Sequence, residues 1–225
     1  MANQNDSFID EVTEELRRDR LYAVFRRYGW IAILAVLLLV GGVIWREWSR
    51  AQDRAAAEGF GDAILAAEAS GDPAAILAVD PQGSDRREAL AALLAASAFT
   101  EAGQTDEAAA ALRDIAADAA EQNGVLRELA QLKLVMLNGP QMDPSERDAI
   151  LTQLSRAGAP FELLALEQKA VALIGAGRTE DALTLIRQIQ QRDGLSEALR
   201  RRLGEMMIAL GVEPDAAASG TELPG

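Results

Sequence analysis

The sequence predicts an all-α protein in which a single membrane-spanning helix near the N-terminus precedes a helical domain built from repeats. Three observations predict it: an uncharged apolar run at residues 28–45, an alanine-rich and aromatic-poor composition, and self-similarity between two later segments. Of the 225 residues, 49% are hydrophobic but only 4% aromatic. That balance favours thin, close-packed helix pairs over the thicker core of a sheet-based domain. The length suits one ordinary domain plus an anchor.

The apolar run reads YGWIAILAVLLLVGGVIW, which at helical rise covers about 27 Å and is long enough to cross the hydrocarbon core. Trp30 near one end, with Trp45 and Trp48 at the other, suits the membrane interfaces, where an indole keeps its N–H wet and buries its ring. A core helix of a water-soluble domain would carry polar residues at every third or fourth position, and this run carries none. A cleaved signal peptide fits poorly, because the preceding segment is rich in acids and the run leads straight into Arg46-Glu47-Trp48-Ser49-Arg50. Arg17, Arg18, Arg20, Arg26 and Arg27 outweigh Arg46, Arg50 and Arg54, which places the N-terminus on the cytoplasmic side. The expected organisation is a cytoplasmic segment at 1–28, a spanning helix at 29–46, an exported helical domain at 47–210 and a disordered tail at 211–225. In a bacterial inner membrane the exported side is the periplasm. Within the first segment, Phe8, Ile9, Val12, Leu16 and Leu21 form an amphipathic stripe that fits a membrane surface, a partner or a solvated helix alike.

The exported domain repeats itself. Residues 101–115, EAGQTDEAAAALRDI, align with 175–189, GAGRTEDALTLIRQI, so that Gly103, Thr105, Ala108, Arg113 and Ile115 match Gly177, Thr179, Ala182, Arg187 and Ile189. The 74-residue offset from Gly103 to Gly177 is close to two helical hairpins of about 34 residues. A degenerate copy lies between, with a break at Asn138-Gly139-Pro140 and a helix opened by Asp143-Pro144-Ser145-Glu146. In each copy the glycine is expected to end one helix in the left-handed conformation and the threonine to cap the next. Ala108 and Ala182 then mark where paired helices approach closely. Asp72-Pro73 and Ala159-Pro160 place proline in a first turn, and Asp85-Arg86-Arg87-Glu88 has capping-box spacing. The helices are therefore expected near 46–70, 73–79, 85–102, 105–121, 125–137, 144–156, 160–176, 179–192 and 196–210.

A glycine, then four residues, then an alanine, with Ala96 and Ala170 twelve residues upstream and Phe99 at an aromatic position, resembles the tetratricopeptide repeat family. The fold this implies is a degenerate tetratricopeptide-repeat-like helical solenoid. Leu173 in place of the aromatic residue, and the missing proline at the repeat's end, imply irregular repeats. The whole layout, with its acidic N-terminal segment, Tyr28-Gly29, Trp45-Arg46-Glu47-Trp48 and alanine-rich repeats, resembles the YfgM-like family of ancillary SecYEG translocon subunits. That resemblance implies an inner-membrane protein that links the SecYEG translocon with periplasmic chaperones or exported client proteins. A structural or assembly subunit of another inner-membrane complex is the alternative.

Catalysis is not expected. The chain has no cysteine and no histidine, which removes zinc sites and Ser-His-Asp or Cys-His chemistry. The pairs Asp106-Glu107 and Glu180-Asp181 sit in predicted first turns, where exposed N–H groups favour negative charge. Gly175-Ala176-Gly177-Arg178 follows no strand and so does not read as a nucleotide loop. No calcium loop is present, and neither a cofactor nor a metal is expected. The net charge of -13 falls almost wholly on residues 55–225, because residues 1–54 are balanced. Nucleic acid is thereby excluded as a partner; the Arg200-Arg201-Arg202 run suits a helix near its C-terminal end. A small-molecule substrate is not expected either. The expected partners are other proteins, held on a concave face lined by the first helix of each pair, with Leu90, Leu93, Ser97, Thr100, Leu164, Glu167 and Val171 facing that groove.

Overall fold

The computed structural model describes the backbone of residues 4–117 and 124–212, and the side chains of Arg27, Trp30, Ile31 and those from residue 33 onward within these spans. The expected tail from residue 213, the end of the predicted 105–121 helix and the stripe of Phe8 to Leu21 side chains lie outside the described residues. Among these, all regular structure is helical: α1 (Gln4–Ala69), α2 (Pro73–Leu77), α3 (Asp85–Glu101), α4 (Thr105–Ala117), α5 (Gly124–Asn138), α6 (Pro144–Leu154), α7 (Glu162–Gly175), α8 (Thr179–Gln190) and α9 (Glu197–Ala209). The chain divides into two compact units, Met1–Gly59 and Phe60–Gly225.

The described part of the first unit belongs to α1. The sequence predicts an amphipathic stripe within 1–28 and separate helices at 29–46 and 46–70, but α1 is continuous over 66 residues. No proline and no strong capping pattern interrupts that stretch, so nothing stops propagation once a turn has formed. Every described large apolar side chain from Trp30 to Trp48 is exposed. Trp45 and Trp48 stand one turn apart with ring centroids 5.5 Å apart at 44°. Among the described residues no helix is long and apolar enough to cross a membrane. Tyr28, Gly29 and Ala32 fall outside the described side chains, and 33–45 alone covers about 20 Å.

In the second unit successive helices pack as hairpins, α3 on α4, α5 on α6 and α7 on α8, with α9 closing the series; α5 also touches α3 and α7. The two aligned copies make the same turn. After α3, the Gly103 N–H donates to the Thr100 carbonyl and the Gln104 N–H to the Phe99 carbonyl; after α7, Gly177 donates to Ile174 and Arg178 to Leu173. This double closure satisfies carbonyls that the helix leaves unpaired, and it requires the positive φ of 74° and 72° that Gly103 and Gly177 adopt. The expected threonine caps do not form. The turn is one residue shorter than threonine caps would need, so Gln104 supplies the first accepting carbonyl of α4 and Arg178 is the N-cap of α8, with no side-chain capping bond. Similarly, Ser84 rather than Asp85 caps α3, and Ala159-Pro160 belong to a turn before α7. Asp143 opens α6 as expected, accepting from the N–H groups of Ser145 and Glu146 at 2.9 and 3.2 Å.

Four apolar clusters run along the unit. Phe60, Ile64 and Ala67 of α1 pack with Ile76, Ala91, Ala95, Phe99 and Ala108. The opposite flank of α3 meets Leu112, Ile115, Ala130 and Leu134. Leu132 and Val135 join Leu151, Leu154 and Ala165. Ala170, Leu183, Ile186 and Ile189 join Leu199, Leu203 and Met207 of α9. Ala108 and Ala182 are fully buried, where a larger side chain would force the hairpin apart.

Candidate partner-binding face

A first helix in a stacked array has packed neighbours on two flanks, which leaves one face free. On α3, Ala91, Ala95 and Phe99 pack toward α1 and α2, while Ala89, Ala92, Leu93 and Ala96 pack toward α4 and α5. Leu90, Leu94, Ser97 and Glu101 fall between those flanks in a single stripe at i, i+4, i+7 and i+11. On α5, Ala130 and Leu134 point into one cluster and Leu132 and Val135 into the next. Val125, Lys133 and Met136 are left between them. On α7, Ala165 and Ala170 enter different clusters, and Leu164, Gln168 and Val171 share the remaining face.

This face is apolar and open. Six of the nine exposed large apolar side chains described in the second unit, Leu90, Leu94, Val125, Met136, Leu164 and Val171, belong to α3, α5 and α7, and they are between 37% and 59% exposed. None belongs to α4, α6 or α8. The second helices therefore bury their large apolar residues, whereas the first helices hold some back. The stripes of α3 and α5 are joined by the Lys133 ammonium, which donates to the Ser97 hydroxyl at 3.0 Å, while Ser97 donates to the Leu93 carbonyl. Thr100 bonds the Ala96 carbonyl at 2.7 Å and, with Lys133 and Met136, lines a small cleft of about 210 Å³.

Of the groove residues expected from sequence, Leu90 and Ser97 share the α3 stripe, Leu164 and Val171 share that of α7, and Thr100 is exposed beside α5. Two expectations are corrected. Leu93 is buried in the core, because a step of three from Leu90 turns the side chain about 60° back toward α4. Glu167 is only 4% exposed, and the guanidinium of Arg202 on α9 grips both its oxygens, Nε at 2.6 Å and Nη2 at 2.8 Å. A carboxylate this buried needs a matched cation, and the bidentate fork supplies one. The pairing with Glu167 raises the Arg202 pKa above its ordinary value. Leu94, Val125, Lys133 and Met136 were missed. The spacing of four from Leu90 would have found Leu94, and the same wheel applied to 125–137 would have found the others.

Trp30, Trp45 and Trp48, expected at membrane interfaces, are all exposed in the first unit. Among the described residues no group of three or more acidic, histidine or cysteine side chains is placed to hold a metal ion. No curated protein matches the chain, and no solved structure does. The model of one family, described as the tetratricopeptide repeat-like domain, matches residues 25–208, most of the chain. Helical hairpins, repeated glycine turns and a free first-helix face lead to the same assignment: this chain belongs to the tetratricopeptide repeat-like domain family.

Proposed function

We propose that this protein is a membrane-anchored protein-interaction module whose free face on α3, α5 and α7 holds a segment of another polypeptide. A tetratricopeptide repeat-like domain points to binding of other proteins, typically as a non-catalytic scaffold. One observation carries the finer reading: the large apolar side chains left exposed lie on the first helices of the hairpins and are missing from the second. A monomer gains nothing by exposing such side chains along one continuous face, whereas a partner would bury them.

The anchor is residues 28–45. Two facts support it: the described apolar side chains there are exposed at every angle around the helix, and the family match begins at residue 25 and so takes in the apolar run. With the N-terminus cytoplasmic, the repeat unit works in the periplasm. The layout shared with YfgM-like proteins supports an ancillary translocon subunit that passes emerging clients between SecYEG and periplasmic chaperones.

The test exchanges residues 28–45 for an unrelated spanning helix and crosslinks from Trp48, which is exposed. Capture of translocon subunits from Trp48, lost on the exchange while client binding persists, is the expected result. Capture of a different membrane complex alone would overturn the translocon role and favour an assembly subunit of that complex.

A further inference from the structure

The N-terminal end of the free face opens into a cleft of about 520 Å³ between the end of α1, α2 and α3. Ile76, Leu94 and Ala98 form its apolar lining, and Glu68, Asp72 and Glu101 supply carboxylates. Asp72 is already engaged as the N-cap of α2, accepting from the Ala74 N–H at 3.0 Å. The carboxylates of Glu68 and Glu101 are exposed and make no hydrogen bond or ion pair among the described residues. Arg87, a cation on α3 itself, is committed to the carbonyls of Pro81 and Gln82. The cleft therefore pairs an apolar lining with two carboxylates that form no ion pair among the described residues, while the Lys133 ammonium is committed to Ser97, another residue of the lining.

We infer that this cleft selects a basic amphipathic segment of another polypeptide, with apolar side chains on Leu94 and Ala98 and a lysine or arginine between Glu68 and Glu101. The inference rests on the proposed use of the free face and adds the chemistry of its partner. A purely apolar segment would strip water from Glu68 and Glu101 and give nothing in return. An acidic segment would meet those carboxylates and the excess negative charge of residues 55–225. A basic segment gains from both, and its affinity falls as salt screens the pairs.

The experiment uses the full chain in nanodiscs and two labelled peptides with identical leucine and alanine positions, one carrying lysine and arginine, the other glutamate. Fluorescence anisotropy is expected to show the basic peptide binding at least about tenfold more tightly. The double variant Glu68→Gln/Glu101→Gln should remove most of that advantage. Glu107→Gln/Glu180→Gln, on the first turns of α4 and α8, should leave it. Equal loss in both double variants would mean adsorption to net charge and would overturn the inference. So would equal binding of the two peptides, although the free face would then still bind polypeptides. Binding of neither peptide would defeat the proposed use of the face as well. Dimerisation of the chain that excludes the basic peptide would assign the cleft to a second copy and overturn the inference.

Discussion

The described part of Met1–Gly59 and the repeat unit Phe60–Gly225 use the same aliphatic residues to opposite ends. In the first, Ile31 through Ile44 place apolar side chains at every angle of the helix, and all of those described are exposed. No single neighbouring helix can cover a surface that is apolar all round; only a lipid environment or a ring of partners can. In the second, apolar residues recur at three and four, so that each helix buries a stripe, as Leu183, Ile186 and Ile189 do on α8. The fate of an aliphatic side chain is thus decided by its angular neighbours more than by its own hydropathy. The free face of α3, α5 and α7 is the intermediate case, apolar on one side and still uncovered.

The largest expected effect breaks the first half of the comparison. Leu37→Arg/Leu38→Arg puts two charges at the middle of the apolar run, each costing about 3 kcal/mol in a spanning helix. The protein should move from the carbonate-resistant membrane fraction to the extractable one, and retention in the membrane fraction would contradict an anchor. Next, Ile186→Ala in the fully buried cluster under α9 should cost about 3 kcal/mol of stability. Leu94→Ala on the free face should cost less than about 1 kcal/mol. Urea unfolding followed by circular dichroism compares the two, and similar losses would mean that Leu94 is a core residue.

A smaller effect belongs to the buried ion pair. Arg202→Ala leaves the Glu167 carboxylate without its partner and should destabilise the α7–α9 end by about 2 kcal/mol. Arg202→Lys, which keeps the charge but loses the fork, should recover only part of it. The smallest effect is at Asp143, whose carboxyl is held below its ordinary value by the backbone N–H groups of Glu146 and Ser145. A depressed folded pKa means that its contribution is complete above the unfolded value, about 3.9, and is lost as pH falls through the folded value. Asp143→Asn should therefore flatten the stability curve below about pH 4 and leave its shape at neutral pH unchanged, as thermal melts across the acid range would show.

Much of the repeat unit was legible because its signals are local. Gly103 and Gly177 announce a turn that only a residue tolerant of positive φ can make, and Ala108 and Ala182 announce close packing. The helix ends were less legible. Thr105 and Thr179 have the chemistry of caps, but the turn geometry carries the chain past the capping position before it reaches them. The free face was legible only in part, since assigning it requires knowing which neighbours cover each flank. Leu93 and Leu94 are adjacent leucines, and only the packing of α4 and α5 against α3 decides that one is buried and the other open. Glu167 was illegible for the same reason, because its partner Arg202 lies 35 residues away and nothing local announces the pair.

The most direct test of the central claim is a photo-crosslinking scan of the full chain expressed in cells. Probes go at Leu94, Met136 and Val171 on the first helices, and at Glu107, Ser145 and Thr184 on the second. Crosslinks to other polypeptides from the first set, with little or none from the second, are the predicted result; equal capture from both sets, or capture from the second set alone, would contradict the assignment of the binding face.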